Sequence, residues 1–260
     1  MAATHRPQAL IFDVDGTLAD TERLGHLPAF NAAFAEAGLD WRWSPELYRR
    51  LLSIAGGRER IRHYIRHCLP PGRQPSDVEA LVEDLHLRKN RIYAGMLEQG
   101  RIVLRPGVER LLREARAAGM DLAIATTSGR ANVLALLDCT LGEAARDWFR
   151  VMATADEVEE KKPSPQVYQH VREALALPPE RCLVFEDSEN GLRAAQGAGL
   201  ECLITVNAFT RDGDYEAALL VVDHLGEPEL PCSVLGGRRR ACFDMSHPWV
   251  DLFQLERLLG

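Results

Sequence analysis

Ala9-Leu10-Ile11-Phe12-Asp13-Val14-Asp15-Gly16-Thr17 is the stretch on which the reading of this chain turns. A short apolar run bounded by a turn signal fits a buried strand, here residues 9–14. In extended backbone, residues two apart share a face, so Asp13 and Asp15 are expected to aim at one spot. Two bare carboxylates side by side are costly to bury unless a cation neutralises them or one keeps its proton. An oxygen-seeking divalent metal is the simplest neutraliser, since Mg²⁺ takes one or two carboxylates together with phosphate oxygens. The plainer alternative is an ordinary acidic turn after a strand. The metal reading therefore needs partners elsewhere in the chain.

Working outward, the pattern changes twice. From about residue 21 to residue 99 the apolar spacing is helical, as in Leu24, Leu27, Phe30 and Phe34 and again in Leu81, Leu85, Ile92 and Met96. Pro70-Pro71-Gly72 splits this region into two helical halves, and Arg105-Pro106-Gly107 ends it. Beyond lie helix 108–118 closed by Gly119, strand 121–125, helix 130–137, strand 149–152, helix 164–176, strand 181–185, helix 192–198 and strand 201–206. Strands joined by single helices imply right-handed βαβ crossovers and a doubly wound, mostly parallel, Rossmann-like α/β core. Residues 1–19 and 105–260 are assigned to that core and residues 20–104 to an inserted all-helical domain. No chemistry is inferred for the tail from Asp223 onward, in which residues 249–259 fit a last amphipathic helix. Ligands of such sheets bind beyond the carboxyl ends of the strands, where Asp13, Thr126 and Asp187 are all expected.

These positions suit phosphoryl transfer. A carboxylate such as Asp13 can attack phosphorus and form an aspartyl-phosphate, while Asp15 can protonate the leaving oxygen and then take a proton from water. Neutralising the phosphoryl oxygens calls for a hydroxyl and N–H cradle, a fixed cation and a metal. Thr126 and Thr127 at a helix mouth can supply the cradle, or merely cap the helix. Lys162 in Lys161-Lys162-Pro163 can supply the cation, or sit in solvent. Asp187 can complete the metal site, with Glu186 beside it as a direct or an outer ligand, or both can be turn carboxylates. In the helical insertion, Gly56-Gly57-Arg58-Glu59-Arg60 opens a helix with two guanidinium groups, a reasonable anion site or an exposed amphipathic face. His86-Leu87-Arg88-Lys89 adds a second basic cluster with the same two readings.

The set Asp13, Asp15, Thr126, Lys162, Glu186 and Asp187, in this order, resembles the motifs of the haloacid dehalogenase (HAD) superfamily of phosphotransferases. The insertion falls where that superfamily carries a C1 helical cap. Asp20-Thr21-Glu22, Asp40 to Trp43, residues 56–60, 86–89, 160–165 and 186–195 are similar to the β-phosphoglucomutase-like group, and most of all to its CbbY-like branch. The resemblance spans most of the first 210 residues. It implies a Mg²⁺ ion held by Asp13, the Asp15 carbonyl and a motif IV acid, Asp187, with Glu186 alongside. It also implies substrate contacts at Glu22, Gly56, Gly57, Arg58, Glu59, Arg60, His86, Arg88, Lys89, Thr126, Thr127, Ser128, Gly129, Arg130 and Ala131. The implied activity is removal of a phosphate from xylulose 1,5-bisphosphate, an inhibitory by-product of the carbon-fixing enzyme Rubisco. A bisphosphate suits the charge layout, with Arg58, Arg60, Lys89 and Arg130 available for the distal phosphate. The pattern departs from the family at Gly25-His26, where relatives commonly place His three residues after Glu22, at Arg58, where Lys is frequent, and over Ser128 to Ala131. A β-phosphoglucomutase-type mutase and a noncatalytic phosphosugar-binding regulator are the rival readings.

Composition sets the outer bounds. A chain of 260 residues with 46% hydrophobic and 27% charged content can bury a sizeable core. Its net charge of −7 argues against a general nucleic-acid or acidic-membrane binder, and Arg238-Arg239-Arg240 is too short to reverse that. No apolar run approaches the roughly 20 residues of a membrane span, and the polar residues 1–8 do not fit a secretory signal. Six scattered cysteines without a CxxC pair fit a reducing, cytoplasmic compartment or a processed organellar one. The expected partner is a small phosphorylated sugar, bound by a monomer.

Overall fold

The computed structural model describes residues 6–260, so residues 1–5 of the polar leading stretch lie outside the described part. Seven strands form one sheet: β1 (Ala9–Phe12), β2 (Asp121–Ala125), β3 (Phe149–Ala153), β4 (Cys182–Glu186), β5 (Glu201–Thr205), β6 (Leu220–Val222) and β7 (Val234–Gly236). Their order is β3-β2-β1-β4-β5-β6-β7, parallel except for β7 against β6. The chain thus winds outward from β1 to β3 on one side and from β4 to β7 on the other. The boundary between β1 and β4 is a topological switch point, where α/β sheets open a crevice beyond their strand ends.

The residues group into two compact units, one of residues up to Asp20 with Val103–Gly260 and one of Thr21–Ile102. The second holds a π-helical turn (Glu22–His26) and helices α1 (Leu27–Glu36), α2 (Pro45–Leu51), α3 (Gly57–His67) and α4 (Val78–Glu98). Ser44 and Asp77 cap α2 and α4 by accepting from the N–H groups of Leu47 and Ala80. Its core is aromatic: Phe30, Phe34, Trp43 and Tyr48 are buried together, and Asn31 bridges to both the N–H and the carbonyl of Trp43.

The first unit adds α5 (Val108–Ala117), α6 (Arg130–Leu141), α7 (Gln166–Leu175), α8 (Glu189–Gly197) and α9 (Leu252–Leu259) to the sheet. Buried Val108, Leu111, Leu112 and Ala115 give α5 one apolar stripe. Gly119 at φ 71° then lets the Met120 N–H reach back to the Ala115 carbonyl and end the helix. Strand alternation divides the core: Ala9 and Ile11 pack with Val167, Val171, Leu192 and Ala195 of α7 and α8, whereas Phe12 stacks on Phe185 at 4.6 Å.

Several element ends differ from the sequence expectation. β1 stops at Phe12 because the Val14 carbonyl accepts from the N–H groups of Thr17, Leu18 and Ala19, turning the chain early. The acidic pair therefore sits in the turn rather than in the strand. α8 begins at Glu189, three residues before the expected start, because the Ser188 hydroxyl caps it through the Gly191 N–H. The region after Val206 holds two further strands, and the apolar run Leu219-Leu220-Val221-Val222 is the signal for β6. Among the described residues, no helix is long and apolar enough to cross a membrane.

Candidate active site

At the switch point the Asp13 N–H donates to the Phe185 carbonyl at 3.0 Å, extending the ladder by one bond, and its carboxylate is buried. Lys162 reaches it from the segment ahead of α7. Lys162 Nζ donates to Asp13 Oδ1 (2.7 Å), Glu186 Oε1 (2.6 Å) and the Ala125 carbonyl (2.8 Å). Those contacts engage all three ammonium donors and tie together the ends of β1, β4 and β2. Buried polar groups persist only when partnered, and here each partner comes from a different strand.

Glu186 is held from every side. Its Oε1 also accepts from the Tyr168 hydroxyl (2.7 Å), and its Oε2 accepts from the Asp187 N–H (3.1 Å) and the Ser188 hydroxyl (3.2 Å). A Cβ on Gly191 would stand 1.8–2.1 Å from this carboxylate group, so only glycine leaves room for it. Asp187 Oδ2 accepts from Asn207 Nδ2 at 2.6 Å, and the Tyr215 hydroxyl donates to the Asp187 carbonyl at 3.0 Å. Oxygens of Asp13, Glu186 and Asp187 lie within 4.8 Å of one another. A buried all-oxygen donor set without thiolate or imidazole fits a hard divalent ion such as Mg²⁺. Because protein donors already saturate Glu186, Asp13 and Asp187 are the pair better suited to the cation.

Electrostatics agree with that fit. Burial pushes the Asp13 carboxyl up to about 7 against the pull of Lys162, with the Glu186 and Asp15 charges adding to the rise. Burial also disfavours the Lys162 charge, but Asp13 and Glu186 outweigh it and hold the ammonium above the ordinary lysine value. Within the cluster Lys162 is the cation bonded to Asp13 and Glu186, and a divalent ion would complete its neutralisation.

Asp15 follows on the same turn, and its Oδ2 accepts from the Ser128 hydroxyl. Thr126 ends β2 fully buried, its N–H bonded to the Ala153 carbonyl (3.0 Å) and its Oγ1 accepting from the Ser128 N–H (3.2 Å). Thr127, Ser128 and Gly129 are half-buried in the loop before α6, whereas Arg130 and Ala131 are exposed. Asp156 accepts from the Arg130 N–H (2.9 Å) and Glu157 pairs with its guanidinium (3.3 Å), so protein carboxylates already engage part of the helix mouth expected to cradle an anion.

The remaining expected residues lie in the helical unit. Glu22 Oε2 accepts from the Tyr48 hydroxyl, which in turn accepts from Arg60 Nη1 (2.9 Å). Arg60 was expected to meet a substrate phosphate, yet it is buried, with Nε and Nη2 donating to the Leu51 and Ile54 carbonyls (3.2 and 3.4 Å). Its guanidinium is engaged by the protein and braces Glu22 through Tyr48. At the start of α3, Gly56 has φ 98°, and a Cβ on Gly57 would stand 3.1 Å from the His86 ring. His86 is pushed down to about 4 by burial and by nearby Arg58 and Lys89, which makes it a neutral imidazole. Lys89 is buried, with Nζ 5.4 and 5.0 Å from the Phe30 and Tyr93 ring centroids. Arg58 pairs with Glu83 and Arg88 with Asp84, while Glu59 is half-buried on the first turn of α3. His26, one place later than in the family pattern, is buried against Tyr93 at 4.4 Å.

A profile of haloacid dehalogenase-like hydrolases matches residues 7–199. The chain belongs to that family. Within it the chain stands in the CbbY branch. It is 48% identical over 250 residues to protein CbbY of Cupriavidus necator, covering 95% of each chain. A crystal structure of CbbY from Rhodobacter sphaeroides in complex with phosphate is similar at TM-score 0.76 and 44% identity, over 84% of this chain and 94% of that one. A mutant of the same protein in complex with xylulose 1,5-bisphosphate is similar at TM-score 0.78 and 44% identity, with the same coverage of the two chains.

Four residues that shape the strand-end site escaped the sequence reading, Tyr168, Gly191, Asn207 and Tyr215, as did Tyr48 in the helical unit. Gly191 apart, each acts on a charged residue well separated in the chain or on its backbone, so no local pattern marks it. Gly191 alone left a trace, lying in the 186–195 stretch that resembles the family.

Proposed function

We propose that this hydrolase is a Mg²⁺-dependent sugar-bisphosphate phosphatase, with xylulose 1,5-bisphosphate as its substrate. One observation carries the reading: a single buried Lys162 ammonium joins Asp13 to Glu186, with Asp187 beside them at the strand ends. That arrangement makes a charged receptacle for a phosphoryl group behind a carboxylate nucleophile. The CbbY relative crystallised with xylulose 1,5-bisphosphate supports the choice of substrate.

The chemistry divides among the chain's own groups. Asp13 attacks phosphorus, the bond from phosphorus to the sugar oxygen breaks, and Asp15 gives that oxygen a proton. Water then attacks the aspartyl-phosphate while Asp15 takes its proton, and phosphate leaves. Ser128 holds the Asp15 carboxylate by its hydrogen bond during both steps. Asp13, Asp187 and the Asp15 carbonyl would hold the Mg²⁺ ion, which would supply charge neutralisation at the phosphoryl oxygens. Lys162 and the Thr126 hydroxyl share that work. The helical unit serves as a cap, excluding water and offering Glu22, Gly56, Gly57, Arg58, Glu59, His86, Arg88 and Lys89 to the sugar and its second phosphate. Thr127 to Ala131 complete the contacts from the core, and Arg60 acts through Tyr48 on Glu22. The enzyme works as a monomer in a reducing, cytoplasmic compartment, in keeping with cysteines that form no disulfide among the described residues.

Phosphate release measured over pentose and hexose bisphosphates, with and without Mg²⁺, tests the proposal. Xylulose 1,5-bisphosphate is expected to give the highest kcat/KM. Absence of phosphate release from every sugar bisphosphate overturns the phosphatase, and formation of an isomeric sugar phosphate in its place establishes the mutase.

A further inference from the structure

We propose that Arg105 is a positioning residue that sets the Asp187 carboxylate against the turn after Asp13, and thereby sets the metal affinity of the site. The inference rests on the metal-site reading given above.

Asp187 is walled on two sides. A Cβ on Gly16 would stand 2.3 Å from its Oδ2, so the turn backbone packs directly on the carboxylate. Asn207 Nδ2 donates to the same Oδ2 at 2.6 Å. One guanidinium holds both walls. Arg105 Nη1 donates to the Gly16 carbonyl and to the Thr205 carbonyl (2.7 Å) and hydroxyl (2.9 Å). Its Nη2 donates to the Val206 carbonyl (2.6 Å), immediately before Asn207, and to the Asp223 carbonyl in the tail. The Thr205 hydroxyl in turn donates to the Glu186 carbonyl, next to Asp187, at 3.5 Å.

Arg105 is buried, and among the described residues it forms no salt bridge to a carboxylate, although the charges of Asp187, Asp20 and Asp223 favour its own. A buried cation held by backbone carbonyls is costly, and a planar fork is the shape that meets several fixed acceptors at once. The acceptors come from the Gly16 turn, the end of β5 and the segment after β6. A lysine would keep the charge but offer a single nitrogen to acceptors that the guanidinium reaches with two.

Arg105→Lys tests this, with Mg²⁺ affinity measured by calorimetry and by the metal-induced rise in Tm. The variant is expected to fold and to bind Mg²⁺ about tenfold more weakly, a loss on the order of one charged hydrogen bond. In Arg105→Ala, guanidinium chloride at a non-denaturing concentration is expected to restore affinity where sodium chloride does not. If neither variant folds, Thr205→Val decides, with a two- to threefold loss of affinity expected, on the order of one neutral hydrogen bond. Lowered Tm with unaltered Mg²⁺ affinity in the folded variants makes Arg105 a purely structural residue and overturns the proposal, as does unaltered affinity in Thr205→Val. A wild-type protein that binds no Mg²⁺ overturns the metal-site reading itself, a separate outcome.

Discussion

Asp13 carries a conflict that only function explains, because it is a carboxylate buried beside Glu186 and Asp15. Asp13→Asn keeps the shape and removes the nucleophile. Phosphate release is expected to fall by at least about a thousandfold, while circular dichroism shows the fold retained. His86 carries the opposite signature, a base held neutral by burial and by the Arg58 and Lys89 charges. Its folded value of about 4 lies below its ordinary 6.5, so the stability it contributes is full above 6.5 and is lost as pH falls from there through 4. An imidazole NMR titration is expected to show a midpoint near 4 for this ring; a midpoint at or above 6 contradicts the burial argument. At this scale Asp13, Asp15, Thr126 and Asp187 were readable as candidates because each follows a strand announced by an apolar run, and Lys162 because it stands in the Lys161-Lys162-Pro163 signal ahead of a helix. The burial of Arg60 was not readable because charge says nothing about burial, and its guanidinium makes hydrogen bonds within the helical unit.

Among the elements, α8 shows how a helix start builds a site. Ser188 caps the helix and donates to Glu186, and Gly191 on the first turn leaves space for that carboxylate. Gly191→Ala is therefore expected to displace Glu186 from Lys162. It should destabilise the protein by about 1–3 kcal/mol in urea unfolding, as overpacking does, and lower kcat along with stability. In the helical unit, the chain of contacts from Arg60 through Tyr48 to Glu22 joins α3, α2 and the π-helical turn. Tyr48→Phe removes the middle link. Steady-state kinetics are expected to show KM raised about three- to tenfold, the worth of a hydrogen bond, with kcat little changed. Helical and strand periodicity made most elements legible, but their ends were set by side-chain caps and by the early turn at Val14.

For the molecule as a whole, the cation economy of the site predicts a dependence on metal. Lys162 bridges two of three clustered carboxylates, Asp13 and Glu186, within a buried space, and a divalent ion held there would bind the folded state but not the dispersed chain. Chelation is expected to abolish phosphate release and lower Tm. Restoring Mg²⁺ to a hundred times its Kd should add about 2.7 kcal/mol of stability, measured by thermal unfolding; a Tm indifferent to chelator speaks against a metal site. By itself the sequence determined the parallel α/β core and the helical run of the insertion, and it nominated the acids, hydroxyl and lysine of the candidate site, because period, strand-end placement and turn signals are local properties of a chain. Tertiary structure alone decided which groups serve them: Glu186 as the anchor of Lys162, Ser128 on Asp15, Asn207 on Asp187, and one Arg105 fork across segments from residue 16 to residue 223. The physical reason is distance along the chain. Hydrogen bonds between residues twenty to more than a hundred positions apart leave no periodic trace, and they exist only once the sheet has brought its strand ends together.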